Sequence, residues 1–210
     1  MRTRRAPYHH DVAAHSELGG TPSQFTAAVD QLRSAAVRPE VVVDEMPAPT
    51  RIAPFAHALS GEIVVADEEL AGGRFILLHD PAGHDAWNGT FRCVTFARAD
   101  IEGDMAADPV LPAVGWSWLE DALAARGAEA TAIGGSVTVV HTEGFGSMLE
   151  DAPQSQVEVR ASWTPLTGVG DHLGAWGDLL AAVAGLPPLA PDVAYLPRRG
   201  PRGSSLGGRA

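Results

Sequence analysis

The residues best suited to chemistry stand in one short run, His79-Asp80-Pro81-Ala82-Gly83-His84-Asp85-Ala86-Trp87. It contains two His-Asp pairs five residues apart. Imidazole titrates near neutral pH and a neighbouring carboxylate can orient it, so such pairs suit general acid–base work. His79, Asp80, His84 and Asp85 are also metal-ligand types, with the two histidines as the natural first ligands. A second reading has its own mechanism. In Asp80-Pro81-Ala82-Gly83 the aspartate caps a type I turn, the proline presets φ and the glycine takes the fourth position. The histidines then flank a loop, the catalytic residues stay unassigned, and neither a metal nor a cofactor is expected.

Other chemistries are narrowed by what is missing. All 15 basic residues are arginines, so a Walker-type phosphate loop and lysine Schiff-base catalysis are both excluded. A single cysteine, Cys93, rules out an internal disulfide and a Cys-rich zinc site. Cys93 lies within an expected strand, where a thiol is usually buried and inert. Gly144-Phe145-Gly146-Ser147 lacks the spacing of a nucleophile elbow, and Gly134-Gly135 falls short of a dinucleotide fingerprint.

Aromatic and basic side chains supply the binding candidates. Trp116 and Trp118 fall in one expected helix, and positions two apart point about 200° apart, so they cannot share a face. One of them is then free to meet a partner. Trp116 is that candidate, together with Trp87 and Arg92 near the His-Asp run.

The elements that must position these residues are legible in outline. Thr21 suits an N-cap, Pro22 the first helical position and Gln24 the third place of a capping box, giving a helix to about Val37. Strands are expected at Val41–Val43, Ala56–Ala66, Arg74–Asp80 and Thr90–Ile101. The connections Asp67–Gly73 and Pro81–Gly89 are too short for crossover helices, so the last three strands form an antiparallel meander. Asp108 and Pro109 open a second helix that Gly127 closes, with Leu111, Val114, Trp118, Leu119 and Ala122 on its apolar side. Strands at Gly135–Thr142 and Gln156–Thr164 follow, then a helix at Asp171–Ala184. Helix, three or four strands, helix, two strands, helix describes a single α+β domain over 21–190, an antiparallel sheet with helices packed on it. Residues 1–20 and 191–210 are expected to be flexible tails. The topology is similar, by analogy only, to the type III secretion chaperone fold.

The chain has 210 residues and a formal charge of -11, which disfavours nucleic acid as a partner. No apolar run reaches the roughly 20 residues of a membrane span, and the basic start runs into Tyr8-His9-His10-Asp11 rather than a signal peptide's apolar stretch. A cytoplasmic location and no membrane partner are therefore expected.

Several motifs together resemble the actinobacterial family labelled domain of unknown function 3000. They are Leu77 to His84 with Trp87 and Gly89-Thr90-Phe91-Arg92, Met105 to Pro109 with Trp116-Ser117-Trp118-Leu119, Ser155 to Pro165, and Ala184-Gly185-Leu186-Pro187-Pro188. The likeness covers about 24–202 and implies an actinobacterial cytoplasmic protein, with no activity attached. Topology, acidic charge and the missing catalytic set lead to the expectation of a non-enzymatic protein-binding or assembly module, with a protein partner or a second copy as its ligand. The alternative is a metal- or small-ligand-binding enzyme centred on the His-Asp run.

Overall fold

Among the described residues, 20–148 and 154–188, the computed structural model forms α1 (Ser23–Ser34), β1 (Val41–Met46), β2 (Phe55–Val65), β3 (Glu68–His84), β4 (Gly89–Ile101), α2 (Gly103–Ala106), α3 (Leu111–Ala125), β5 (Ala130–Thr142), β6 (Gln154–Pro165) and α4 (Val169–Val183). The expected tails lie outside these residues, Gly20 excepted. The six strands make one antiparallel sheet in the order β1-β2-β3-β4-β6-β5. The helices pack on one of its faces, so the chain is a single α+β domain.

Alternation decides which face is covered. In β6, Val157, Val159, Ala161 and Trp163 are buried towards the helices, while Glu158, Arg160 and Ser162 point away. Phe75 and Leu77 of β3 and Cys93 and Ala97 of β4 continue the same buried face. Eleven of the fifteen residues of α4 are buried, as befits a helix that is apolar all round. It lies centrally on the sheet, flanked by α1 and α3. Small residues allow this closeness. A Cβ on Gly61 would stand 2.5 Å from the Trp176 ring, and one on Gly73 would overlap the Phe96 carbonyl oxygen. The Trp176 indole N–H donates to that same carbonyl at 3.4 Å.

One ion pair locks the helical layer. At the end of α3, Arg126 donates from Nε and Nη2 to Asp178 of α4 at 2.6 and 2.9 Å, and from Nη1 to the Ala36 carbonyl at 2.8 Å. Gly174 leaves room for it, since a Cβ there would come within 2.6 Å of Nη1. Bidentate geometry and low exposure make this pair costly to break.

Several local expectations need correction. Pro22, not Thr21, is the N-cap residue of α1, and no side chain caps that helix end. Asp108 accepts from the Val110 N–H in a turn ahead of α3, which starts at Leu111. Val114 is 39% exposed and so does not belong to the apolar side of α3. The β2–β3 connection is only Ala66-Asp67, both with positive φ (52° and 65°), and β3 therefore begins well before Arg74. Two successive positive φ values define the tight hairpin turn that glycine or asparagine normally signals. None of the helices is long and apolar enough to cross a membrane among the described residues.

Candidate functional site

The His-Asp run is divided by a bulge. β3 and β4 stay paired to His79↔Phe91, lose register over Asp80–Gly83, and meet again at His84↔Gly89. The Asp80 carboxylate accepts from the Ala82 N–H at 3.0 Å, and Gly83 takes φ 79°. His79 lies inside, 1% exposed, stacked on Phe91 with centroids 4.1 Å apart and beside Phe25 at 5.9 Å. Its Nδ1–H donates to the Thr90 carbonyl at 3.0 Å, which leaves Nε2 as the bare nitrogen, buried and without a hydrogen-bond partner. His84 lies outside, exposed, stacked on Trp87 at 4.9 Å, with Nδ1 accepting from the Ala86 N–H. Asp85 opens a short 3-10 turn to Trp87, and Asn88 in the left-handed region (φ 55°) turns the chain into β4. The two histidines thus serve different environments. No group of three His, Cys, Asp or Glu side chains is placed to hold a metal among the described residues.

The binding candidates are engaged structurally. Arg92 reaches across β6 to the Ser162 hydroxyl and carbonyl at 2.8 and 3.2 Å and the Thr164 hydroxyl at 3.3 Å. It ends on the Ala132 carbonyl of β5 at 2.9 Å. It therefore clamps the bulge where β5 loses register between Thr131 and Gly134, and its partial burial lowers its pKa. The Trp87 carbonyl accepts from the Thr164 hydroxyl, which ties the His-Asp loop to the same clamp. Trp116 is half-buried over Gly135 of β5, and its indole N–H donates to Glu120 at 3.0 Å. Trp118 faces the other way, as the 200° argument requires, into a groove of about 440 Å³ between α3 and α4. The charges along that groove are largely spoken for: Arg38 is held by Glu40 and the Pro187 carbonyl, and Asp178 by Arg126. Cys93 is fully buried, and burial pushes its thiol far above the ordinary range.

Among the described residues, no helix covers the other face of the sheet. Strand register aligns Asp44, Ser60, Arg74, Phe96, Arg160 and Ser136 in a single row across all six strands. The adjacent row carries Glu62, Gly72, Arg98, Glu158 and Thr138. A hollow of about 650 Å³ lies on the first row, walled by Ile76, Val94 and Phe96, and its only charged lining residues among those described are Arg74 and Arg160. The Arg160 guanidinium sits 4.9 Å from the Phe96 ring centroid and pairs with Glu158. Arg74 and Arg98 are exposed, and their side chains make no ion pair or hydrogen bond among the described residues. Arg74, Arg98 and Arg160 surround an aromatic here, with Glu62, Glu69 and Glu158 as their neighbours on the same face.

Sequence reasoning missed this row. Its signal was present in the outward positions of the alternating strands, Arg74 and Ile76, Val94, Phe96 and Arg98, and Arg160. Only the register brings them side by side.

No curated protein and no solved structure matches the chain. The model of a protein family of unknown function, DUF3000, matches residues 21–194, and the chain therefore belongs to the DUF3000 family.

Proposed function

We propose that the chain is a non-enzymatic protein-binding module that holds an acidic polypeptide segment on its uncovered sheet face. The observation that carries this reading is the Arg74–Phe96–Arg160 row, flanked by Arg98, whose side chain has no ion pair among the described residues. Guanidinium groups bind carboxylates in a forked geometry, and an aromatic between them accepts the apolar part of a partner side chain. The hollow is broad and lies open across the strands, whereas small-molecule sites enclose most of their ligand. A few arginines set among carboxylates match a short segment with scattered acidic side chains rather than the continuous charge of a polyphosphate chain, so a peptide fits this face better than nucleic acid.

The test is fluorescence anisotropy with a labelled peptide of alternating Glu and Phe, and with its Lys counterpart. Binding of the Glu peptide should weaken with salt and fall about tenfold or more in Arg74→Glu with Arg160→Glu. Equal affinity for the Glu and Lys peptides, or no loss in the double variant, contradicts the reading.

A further inference from the structure

We infer that two copies of this chain pair through β5, edge to edge and antiparallel, about a two-fold axis near Thr138. The two edges of the sheet are built differently. β1 is six residues long, carries Asp44 and Glu45, and runs into Pro47. Short length, charge and proline are the ordinary means by which an edge is kept from pairing. β5 has none of these; its one protection is the bulge between Thr131 and Gly134, which leaves Gly135–His141 regular. Over thirteen residues it contains no Asp, Glu or Arg, and it is rich in β-branched Val, Ile and Thr. Among the described residues it pairs only with β6, so the N–H and C=O groups on its other side face solvent.

The bulge between Thr131 and Gly134, clamped by Arg92, limits the pairing run at one end, and the chain leaves the strand after Thr142 at the other. The regular stretch Gly135–His141 is centred on Thr138. Antiparallel self-pairing about that residue sets Val137 against Val139 of the second copy and Ser136 against Val140, so like faces meet like. Charge selects the occupant. A strand with no charge offers nothing to a strongly charged partner, yet it is where two chains of -11 each can approach with least repulsion. Pairing also removes the exposed edge from both copies and joins their sheets, so the row ending in Thr138 continues into the second molecule.

Thr138 is exposed on the open face, so charged replacements there leave the core untouched. Analytical ultracentrifugation of the full wild-type chain at tens of micromolar should give a species of twice 21.9 kDa. Thr138→Lys and Thr138→Glu should each weaken the dimer about tenfold or more, because like charges then face each other across the axis. Mixing the two variants should restore it. A wild-type monomer, a dimer that resists both substitutions, or a mixture that stays monomeric overturns the proposal. Near-ultraviolet circular dichroism checks that each variant is folded. Anisotropy with the Glu-Phe peptide on wild type diluted below the dimer's dissociation midpoint separates this outcome from the fate of the arginine row.

Discussion

His172 is buried in the first turn of α4, completely shielded from solvent, and its chemistry predicts how the fold responds to acid. The indole N–H of Trp163 donates to His172 Nδ1 at 3.0 Å, so that nitrogen must carry a lone pair. Nε2–H then donates to the Thr167 hydroxyl at 3.3 Å. Burial lowers the His172 pKa from 6.5 to about 4, with the Asp171 charge opposing part of the shift. The folded state thus binds a proton less readily than the unfolded chain. The stabilisation is complete above pH 6.5, is lost progressively as pH falls, and changes no further below about pH 4. By linkage the loss at pH 4 is about 3 kcal/mol, since each pKa unit corresponds to about 1.4 kcal/mol.

The comparison protein is His172→Asn, whose side-chain carbonyl can still accept from Trp163 but does not titrate. Urea unfolding of both proteins isolates the histidine. Other acid-sensitive groups cancel in the difference, including Glu40, whose pKa is held down by its hydrogen bond from Arg38. The stability advantage of wild type over His172→Asn should shrink by about 3 kcal/mol between pH 7 and pH 4. A difference that stays constant across that range refutes the assignment of His172 as a neutral buried acceptor.

Four further outcomes follow from the packing and the site. Gly73→Ala forces a Cβ onto the Phe96 carbonyl oxygen and should destabilise by about 1–3 kcal/mol, read as a lower urea midpoint. Arg126→Ala strands Asp178 and the Ala36 carbonyl, and should cost about 3–5 kcal/mol by the same assay; an exposed pair such as Arg33–Asp30 should cost under 1 kcal/mol. His84→Ala should leave the melting temperature within a degree or two, whereas His79→Ala opens a cavity among Phe25, Phe55 and Phe91 and should cost about 2–4 kcal/mol. Zinc titrated into wild type should bind no better than into His84→Ala, as measured by calorimetry.

How far the fold was legible depended on how local its causes were. The alternation of β6 and the apolar face of α4 are written into adjacent residues. Gln156 to Trp163 could be assigned inward and outward from sequence, and Leu173, Trp176, Leu180 and Val183 are all buried. The β2–β3 turn was misplaced because Ala66 and Asp67 adopt positive φ without the glycine that normally marks such a turn. Thr21 and Asp108 have the composition of N-caps, but the chain begins its helices a residue or more later. The role of Arg92 was out of reach, because its acceptors come from two other strands and a bulge. The arginine row depends on register, a property of strand pairs rather than of any one segment. The His-Asp run shows the reverse case. Its residue types suggested convergence, yet strand alternation sets His79 in the core with Phe75 and Leu77, while His84, an odd number of positions on, faces solvent.

If the open sheet face, and not the α3–α4 groove, receives the partner, the two surfaces must respond differently to peptide. Backbone amide shifts of the full chain, followed by NMR during titration with the Glu-Phe peptide, test this most directly. Perturbations should cluster on the strands at Arg74, Phe96, Arg98 and Arg160. Shifts centred on Trp118, Ala122 and Ala182 around the groove, or none at saturating peptide, contradict that placement.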